Sequence, residues 1–382
     1  MNPPSRPDDP APGRSGRAAG PDTVLIAGGG TGGHLIPALV IAEAIRARFP
    51  DWRIVLAGAR RGLEARLLPE RQFAYHLLPF EPLYRRQWWK NLRWPVRAIQ
   101  LLREVDRLLE TVRPRVVIGT GGYVSGPVVF RAAGRGIPTA MLELNAYPGL
   151  AVRTLAGRVS EIWLGSPEAR AHLRPGSRTR IVDTGTPITP PDPAIRADSF
   201  ARLGLDPDRR VMLVSGGSQG ALPLNRAVAG WVQSGRSEGV QLVWATGKTT
   251  FAEFRRFHRP PAVQVFEFLD PIQPAYAVAD LALTRAGMMT IAELSAWGIP
   301  SILVPLPGAA ADHQTGNARA MDGAGAAILL PQSELSPERL DQTVQALLHE
   351  PSRLARMREM ALSRGRPDAL TRIMARFGIL SV

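Results

Sequence analysis

The sequence predicts an α/β fold of two Rossmann-like domains, each a doubly wound parallel sheet, that face one another across a cleft. Short β-branched and apolar runs alternate with longer amphipathic stretches, the pattern of parallel strands covered by helices on both faces. The pattern begins with VLIA at residues 24–27 and restarts with VMLV at residues 211–214. Between the two series, residues 184–206 are rich in proline and glycine and lose the periodicity.

The domain boundaries follow from this pattern. Residues 1–21 are rich in proline, glycine, arginine and aspartate, and they predict a disordered tail rather than a signal peptide because they have no apolar segment. We predict a first domain over residues 22–187 and a second over 188–365. No window approaches the roughly 18 consecutive apolar residues of a membrane span, so a cytoplasmic protein is expected.

Composition narrows the classes of partner. The 382-residue chain has 47 lysines and arginines against 33 acidic residues, a net charge of +14, which favours nucleic acid, phosphate-bearing ligands or an acidic membrane. General solubility with an arginine-rich composition is the plainer interpretation. The absence of cysteine excludes disulfides, zinc ribbons and thiol catalysis.

An internal repeat supports two halves of like construction. Residues 24–33 (VLIAGGGTGG) align without gaps on residues 211–220 (VMLVSGGSQG), and each copy predicts a strand, a glycine loop and a helix. Such a turn lets the backbone approach an anion, and the helix start presents unpaired N–H groups with partial positive charge. Two anion-facing loops suit a ligand held between the domains.

A dinucleotide enzyme is the alternative. Residues 28–33 satisfy G-x-G-x-x-G, and Arg60 and Arg61 follow the second predicted strand, where an NADP enzyme places an arginine. However, that scheme gives the second glycine loop no role and supplies no obvious proton donor for hydride transfer. Glycines at a strand end also serve as simple turn residues.

Four further segments raise the specificity. They are GTGGYVSGP at 119–127, LELNAYPG at 142–149, RAGMMTIAE at 285–293 and DHQTGNA at 312–318. Together with the two glycine loops, and in the same order from about residue 24 onward, they resemble the MurG family, which converts lipid I to lipid II in peptidoglycan synthesis. The resemblance implies a GT-B fold whose last helix, over residues 366–382, packs back on the first domain.

The resemblance also implies the reaction. The donor would be UDP-N-acetylglucosamine (UDP-GlcNAc), bound mainly by the second domain. The acceptor would be the 4-hydroxyl of MurNAc in undecaprenyl-pyrophosphoryl-MurNAc-pentapeptide, and transfer would invert the sugar carbon without metal or cofactor. Transfer to another lipid, sugar-nucleotide epimerisation and a weakened UDP-sugar-binding scaffold are the alternatives.

Donor-binding residues are carried over position by position. The set comprises Thr31, Gly32, Gly33, Asn145, Thr189, Ser218, Gln219, Gly220, Leu269, Arg285, Thr290, Glu293, His313 and Gln314. The backbone at Leu269 would meet the uracil, and Glu293 would hold the ribose hydroxyls. Residues 218–220 would lie against the diphosphate. Gln314, with His313 and Asn317, would contact the GlcNAc hydroxyls.

The resemblance assigns catalysis to His34 and the acceptor diphosphate to a second cradle. His34 matches the histidine proposed as the general base, a role that suits a side chain titrating near neutral pH. A capping or structural histidine is the alternative. The acceptor cradle comprises Gly121, Gly122, Tyr123 and Ser125.

Several positions depart from the family pattern. Leu142 and Leu144 replace a histidine and a glutamine, and Thr186 and Thr189 stand where asparagine and arginine are usual. Met288 and Met289 also introduce bulk. We expect these departures to leave the fold unchanged and to affect the catalytic efficiency and the way in which the acceptor is bound.

Two last motifs concern metal and membrane. The D-x-D of Asp206 and Asp208 lies in a proline turn, and we interpret it as a turn with local ion pairs and not as a metal site.

The stretch 80–95 interleaves aromatic and basic side chains, predicting contact with an anionic membrane rather than core packing or nucleic-acid stacking. The membrane set comprises Arg85, Arg86, Trp88, Trp89 and Trp94. A peripheral protein on the cytoplasmic face of the inner membrane is therefore expected, without nucleic acid as a partner.

Overall fold

The computed structural model describes residues 21–30, 32–60, 64–80, 94–309 and 312–382. Residues 1–20 of the predicted tail, the donor residue Thr31 and four of the membrane residues lie outside this part of the chain. Trp94 begins a helix, but its side chain also lies outside the description.

The first half of the chain forms a seven-stranded parallel sheet with strand order β3-β2-β1-β4-β5-β6-β7. Its strands are β1 Thr23–Gly28, β2 Arg53–Ala59, β3 Ala74–Leu78, β4 Val116–Gly121, β5 Thr139–Glu143, β6 Glu161–Leu164 and β7 Arg180–Asp183. The central strand β1 is buried along its whole length because helices cover both faces of the sheet, as parallel sheets require.

The helices of this half divide between the two faces. They are α1 Gly32–Arg48, α2 Glu64–Leu67, α3 Trp94–Val112, α4 Gly122–Gly134 and α5 Leu150–Leu155. Alternate residues of β1 point to opposite cores. Val24 and Ile26 pack in the core that contains α1 residues, whereas Leu25 and Ala27 pack in the core that contains residues of α3, α4 and α5.

The second half forms a six-stranded parallel sheet with strand order β10-β9-β8-β11-β12-β13. Its strands are β8 Val211–Ser215, β9 Gln241–Ala245, β10 Val263–Phe266, β11 Leu281–Thr284, β12 Ser301–Leu303 and β13 Ala327–Leu329. Its helices are α6 Arg196–Leu203, α7 Leu222–Gln233, α8 Phe251–Phe254, α9 Gln273–Val278, α10 Met288–Trp297, α11 His313–Gly323, α12 Pro337–Leu348 and α13 Pro351–Arg364.

The last helix, α14 Ala369–Leu380, leaves the second sheet and packs against the first. Ile373 and Phe377 are fully buried in the core that also contains α1. The Phe377 ring meets the rings of Phe49 and Trp52 edge-on, with centroids 5.1 and 5.0 Å away. Arg376 of α14 pairs with the buried carboxylate of Glu161 in β6.

The two parallel sheets confirm the predicted fold class, and they place the loops after β1, β4, β5, β8 and β11 around one cleft. No helix in the described ranges is long and apolar enough to cross a bilayer. The D-x-D segment is a turn, as expected, in which Asp206 accepts the N–H of Asp208 at 3.0 Å. The expected ion pairs are not found among the described residues: the Gln241 side chain accepts the Asp206 N–H at 2.8 Å and donates to the Asp206 carbonyl at 2.7 Å, and the neighbouring Arg209 donates to the Glu238 carbonyl.

Candidate active site

A cavity of about 1390 Å³ lies between the two halves of the molecule. The first half contributes the ends of β4 and β5 and the starts of α1 and α4, and the second contributes the loop after β8 and the starts of α10 and α11. The predicted residues on its wall are Gly32, Gly33, His34, Gly121, Gly122, Tyr123, Asn145, Ser218, Thr290, Glu293, His313 and Gln314. The predicted residues Ser125, Thr189, Gln219, Gly220, Leu269 and Arg285 lie off this wall.

His34 is fixed by the end of strand β4. Its Nδ1 lies 3.2 Å from the Thr120 carbonyl oxygen, and the Thr120 hydroxyl donates to the His34 carbonyl at 2.9 Å. Since a carbonyl only accepts, Nδ1 carries the proton and Nε2 keeps its lone pair. Burial lowers the pKa of His34 and the nearby His313 lowers it further, against an opposing effect of the Thr120 carbonyl. The imidazole is therefore neutral at pH 7 and can accept a proton at Nε2.

The ring of His34 leaves no room for a side chain at Gly121. A Cβ there would collide with the imidazole, and Gly121 has a φ of +102°, which L side chains rarely adopt. The glycine is thus required both by the backbone and by the close approach of the histidine. This contact links the candidate base to the start of α4.

The first glycine loop is held from behind by Glu64, which the sequence prediction missed. Glu64 is fully buried in α2, and its Oε1 accepts the N–H of Gly30. Its Oε2 has no hydrogen-bond partner within the described part of the chain. On the other side of the loop, a Cβ at Gly30 would lie 2.6 Å from the Tyr123 ring. The loop is therefore clamped between a carboxylate and an aromatic ring.

The acceptor cradle forms at the start of α4. Gly121 and Gly122 line the cavity with φ values of +102° and +74°, where the helix N-terminus carries partial positive charge. Tyr123 stacks on Phe80 with centroids 4.4 Å apart, and burial and the charge of Glu64 raise the pKa of its hydroxyl. Ser125 is buried, and its hydroxyl donates to the Gly122 carbonyl at 3.2 Å. Ser125 therefore contacts the cradle from inside the helix.

Glu143, a second residue that the prediction missed, fixes the loop after β5. Its buried carboxylate accepts the N–H of Asn145 at 2.9 Å, the Asn145 amide at 3.1 Å and the Gly149 N–H at 2.6 Å. Burial raises the pKa of Glu143, although these three hydrogen bonds and His313 act in the opposite direction. Leu142 and Leu144, the departures from the family pattern, are buried beside it.

Asn145 also joins the two halves of the molecule. Its Oδ1 accepts from Asn317 Nδ2 at 3.1 Å, and the Ala146 N–H donates to Asn317 Oδ1 at 2.9 Å. Asn317 Nδ2 further donates to the Ala286 carbonyl at 3.2 Å. The Asn317 amide is thus engaged between the domains, and its predicted contact with the sugar stays a prediction.

The second glycine loop faces the cleft. Gly217, Ser218 and Gln219 are exposed, and Ser218 lines the cavity. The loop is held from behind, because Lys248 N–H donates to the Ser218 carbonyl at 3.2 Å and Thr249 donates to the Gln219 carbonyl at 2.5 Å. Its front therefore remains open to a ligand.

Glu293 lines the cavity from α10 and is oriented by a tyrosine. The Tyr276 hydroxyl donates to Glu293 Oε2 at 2.7 Å from a buried position in α9. Burial raises the pKa of Glu293, and the bond from Tyr276 opposes that rise. The same burial, with the charge of Glu293, raises the pKa of Tyr276 well above its ordinary value. Tyr276 is the third residue that the sequence prediction missed.

The remaining donor residues differ in their placement. Arg285 donates to the carbonyls of Val304 and Pro305 at 3.2 and 3.0 Å and to the Gln332 side chain at 2.6 Å. Gln314 accepts the Leu306 N–H at 2.9 Å while lining the cavity.

Of the five predicted donor residues that lie off the cavity wall, two have environments of a different kind. Leu269 packs against the core of the second half, and Thr189 is exposed. Arg60, considered above for NADP, is engaged by Glu104 at 3.0 Å and by the Leu77 carbonyl.

The chain matches two family models in tandem. Residues 24–163 match the glycosyltransferase family 28 N-terminal domain, and residues 211–373 match the glycosyltransferase family 28 C-terminal domain. The two matches together cover more than half of the chain.

Named relatives and a solved structure agree with these matches. A protein of Desulfitobacterium hafniense is 40% identical over 92% of this chain and 97% of its own length, and one of Desulforudis audaxviator is 41% identical over 92% and 96%. Both are named UDP-N-acetylglucosamine–N-acetylmuramyl-(pentapeptide) pyrophosphoryl-undecaprenol N-acetylglucosamine transferase. The crystal structure of Acinetobacter baumannii MurG superposes with a TM-score of 0.75 at 25% identity, covering 94% of this chain and 100% of that one.

Proposed function

The chain belongs to the MurG family of glycosyltransferases, and from that membership we propose that it transfers GlcNAc from UDP-GlcNAc to the MurNAc 4-hydroxyl of lipid I, forming lipid II. One observation carries the proposal. One cavity is lined by the neutral His34 of the first domain and by Ser218 and Glu293 of the second. Ser218 belongs to the second glycine loop, and the Glu293 carboxylate is oriented by Tyr276. This arrangement suits a reaction between two bound substrates.

The chemistry proposed for His34 is general base catalysis with inversion. Nε2 takes the proton of the acceptor 4-hydroxyl as that oxygen bonds to the anomeric carbon of GlcNAc. The bond from that carbon to the UDP oxygen breaks, and UDP leaves from the opposite face. His34 is left as an imidazolium that later loses its proton to solvent. The proton on Nδ1, held at the Thr120 carbonyl, supports this direction of transfer.

Departure of UDP requires stabilisation of the charge on its phosphates. We assign this role, without a metal ion, to the backbone of Ser218 and Gln219 and to the start of α7. The N–H of Gly220, the third residue of the predicted set, already donates to the Gly217 carbonyl at 2.9 Å, so Gly220 shapes the loop instead. Arg285 adds a half-buried positive charge whose hydrogen-bond acceptors are all neutral oxygens. Among the described residues its partners carry no charge, so we assign its positive charge to the phosphates at longer range.

Glu293 is assigned to the ribose of the donor. Tyr276 occupies Oε2 and leaves Oε1 to accept from the ribose hydroxyls. Of the remaining donor assignments, Gln314, His313, Thr290 and Asn145 are supported by their place on the cavity wall. Uracil binding at the Leu269 backbone, and roles for Thr31, Thr189, Gly32 and Gly33, stay predictions from the resemblance.

The acceptor diphosphate is assigned to Gly121 and Gly122, with Tyr123 beside them and Ser125 holding the turn. Membrane attachment is assigned to the predicted aromatic and basic stretch that ends at Trp94. Exposed Val96 and Ile99, 60% and 52% accessible on the helix that Trp94 begins, support an apolar face there. We therefore propose peripheral binding to an anionic membrane at the cytoplasmic face, without nucleic acid as a partner.

The test is transfer of labelled GlcNAc from UDP-GlcNAc to a short-chain lipid I analogue in the presence of EDTA. We expect a β-linked disaccharide product at the same rate with and without the chelator. No product despite UDP-GlcNAc binding would contradict the acceptor assignment. A rate abolished by EDTA and restored by a divalent cation would contradict metal independence.

A further inference from the structure

The cavity between the domains extends well beyond its polar part. An apolar arm runs along the first domain between α3, α4 and α5. Its large apolar side chains are Phe80, Leu101, Leu102, Phe130, Leu150 and Leu155. Neither the proton transfer nor the binding of the nucleotide sugar involves this arm. The roles already assigned therefore do not account for it.

Small residues lie between these large side chains along the arm. Ala98 of α3, Gly126 of α4 and Ala151 of α5 all line it. A Cβ at Gly126 would lie 3.4 Å from the Ala151 Cβ, so α4 and α5 approach closely there. The larger side chains further along these helices then form the sides of an apolar channel.

Helix α4 connects this arm to the proposed diphosphate cradle. Gly122 begins the helix in the cradle, and Phe130 follows eight residues later in the arm, a rise of about 12 Å along the helix. A ligand with a diphosphate at Gly122 therefore has apolar surface beside it along the length of α4.

The far end of the arm opens to the surface beside a basic side chain. Arg97 and Arg158 lie on its wall, and the Arg158 guanidinium stacks over the Phe130 ring at 5.3 Å. Phe130 and Leu150 are themselves 38% and 72% exposed, so the arm opens to the surface rather than ending inside the fold. Val96 and Ile99 lie exposed on the neighbouring face of α3.

We propose that this arm holds the first isoprene units of the acceptor's polyprenyl chain within the protein. The proposal rests on the proposed function, because it takes the diphosphate to lie at Gly121 and Gly122. The arm is continuous with that cradle, is apolar where the chain leaves the diphosphate, and opens beside the exposed residues of α3. The lipid would thus be recognised by its proximal isoprenes as well as by its sugar.

The experiment compares two lipid I analogues in water, without membrane or detergent, that carry a farnesyl or a dimethylallyl chain. Burial of the additional isoprene units predicts a kcat/KM at least about tenfold higher for the farnesyl acceptor. Ala98→Trp should fill the arm and abolish this preference, without changing kcat/KM for the dimethylallyl acceptor or KM for UDP-GlcNAc. Gln100→Trp, on the exposed side of the same helix and off the cavity wall, is the matched control and should keep the preference.

A second variant guards against a folding defect, which thermal unfolding would reveal. Leu102→Ser removes apolar contact without adding bulk and should also reduce the farnesyl preference. Equal use of both acceptors by the wild type, or equal losses in Ala98→Trp and Gln100→Trp, would overturn the proposal. An equal effect of Ala98→Trp on both acceptors would also overturn it, because the arm would then bind a part that the two acceptors share. Failure of the wild type on both acceptors would contradict the proposed function itself.

Discussion

The two glycine loops share a sequence pattern and the order of strand, loop and helix, yet they present different groups to the cleft. In the first loop, the Gly30 N–H is taken by Glu64 and Tyr123 covers the turn, and the following helix presents His34. In the second loop, Gly217 and Ser218 are exposed and the contacts lie behind. One loop is closed and carries a side chain, whereas the other is open and offers its backbone.

This difference shows that the repeated sequence predicts a shared structure of the two loops but not a shared function. A strand followed by a glycine loop and a helix brings the chain to the cleft in both halves. The buried partner behind the loop then decides whether its N–H groups reach a ligand. In the first half the anion cradle is formed instead by Gly121 and Gly122 at the end of β4, the strand that pairs with β1 in the sheet.

Removal of the side chain that the first loop presents should have the largest effect. His34→Ala is expected to lower kcat for GlcNAc transfer by about 10²–10⁴-fold, because the acceptor hydroxyl loses its base. The Kd for UDP-GlcNAc, measured by calorimetry, should stay unchanged. Near-normal turnover with unchanged donor affinity would remove His34 as the base.

The pH profile of kcat/KM checks the same residue. The pKa of His34 is lowered from its ordinary value of 6.5, chiefly by burial. A base acts in its neutral form, so the rate should be level at neutral pH. Below the lowered pKa it should fall by about tenfold per pH unit. A midpoint above 6.5 that persists in His34→Gln would assign the titration to another group.

The nucleotide whose diphosphate meets the second loop is also held at its ribose, by the Glu293 carboxylate. Removal of this carboxylate should have the next largest effect. Glu293→Ala is expected to raise the Kd for UDP-GlcNAc by about 10–100-fold, since a charged acceptor for the ribose hydroxyls is lost. Tyr276→Phe should raise it by only about 2–10-fold, because the carboxylate remains and only its orientation is relaxed.

A nucleotide sugar without ribose hydroxyls is the control. The 2′,3′-dideoxy analogue of UDP-GlcNAc should bind wild type, Glu293→Ala and Tyr276→Phe with similar affinity. If both variants weaken its binding as much as that of UDP-GlcNAc, Glu293 supports the fold of the site and does not bind the ribose.

A matched pair of glycine variants compares the two loops directly and should give the smallest difference. Gly30 and Gly217 have similar φ values of +93° and +91°, so alanine is strained at both, by about 1–2 kcal/mol. A Cβ at Gly30 also meets the Tyr123 ring at 2.6 Å, whereas one at Gly217 meets nothing within 4 Å. Gly30→Ala should therefore cost about 1–3 kcal/mol more in the free energy of unfolding, measured in urea.

Equal destabilisation in the two variants would mean that the first loop is not closed as described. Gly217→Ala has a second expected outcome, because its Cβ enters the open front of the loop. The KM for UDP-GlcNAc should rise in that variant, while the KM for the acceptor should not.

Much of this structure was predictable from local sequence. The runs at residues 24–27 and 211–214 form the central strands β1 and β8, because consecutive apolar residues must be buried on both faces of a sheet. The glycine segments fall at strand ends, where parallel sheets bind ligands, and His34 and Glu293 meet at one cavity.

What sequence could not predict are contacts between distant positions. Glu64 follows β2 by a few residues and looks like any helical acid, and only the fold places it under Gly30. Tyr276 and Glu293 come together because α9 and α10 are neighbours in space. Glu143 stood within a recognised motif, but its three N–H partners depend on the path of the loop after β5.

Helix α14 bears on the order in which the protein assembles during synthesis. Ile373 and Phe377 complete the core of the first domain, although the whole second sheet is translated before them. Domains generally fold in sequence as they leave the ribosome. Here the first domain must emerge with part of its apolar surface uncovered, at Phe49 and Trp52 between α1 and β2, until the last helix is made. We therefore expect the nascent chain to expose this apolar surface until α14 has been translated.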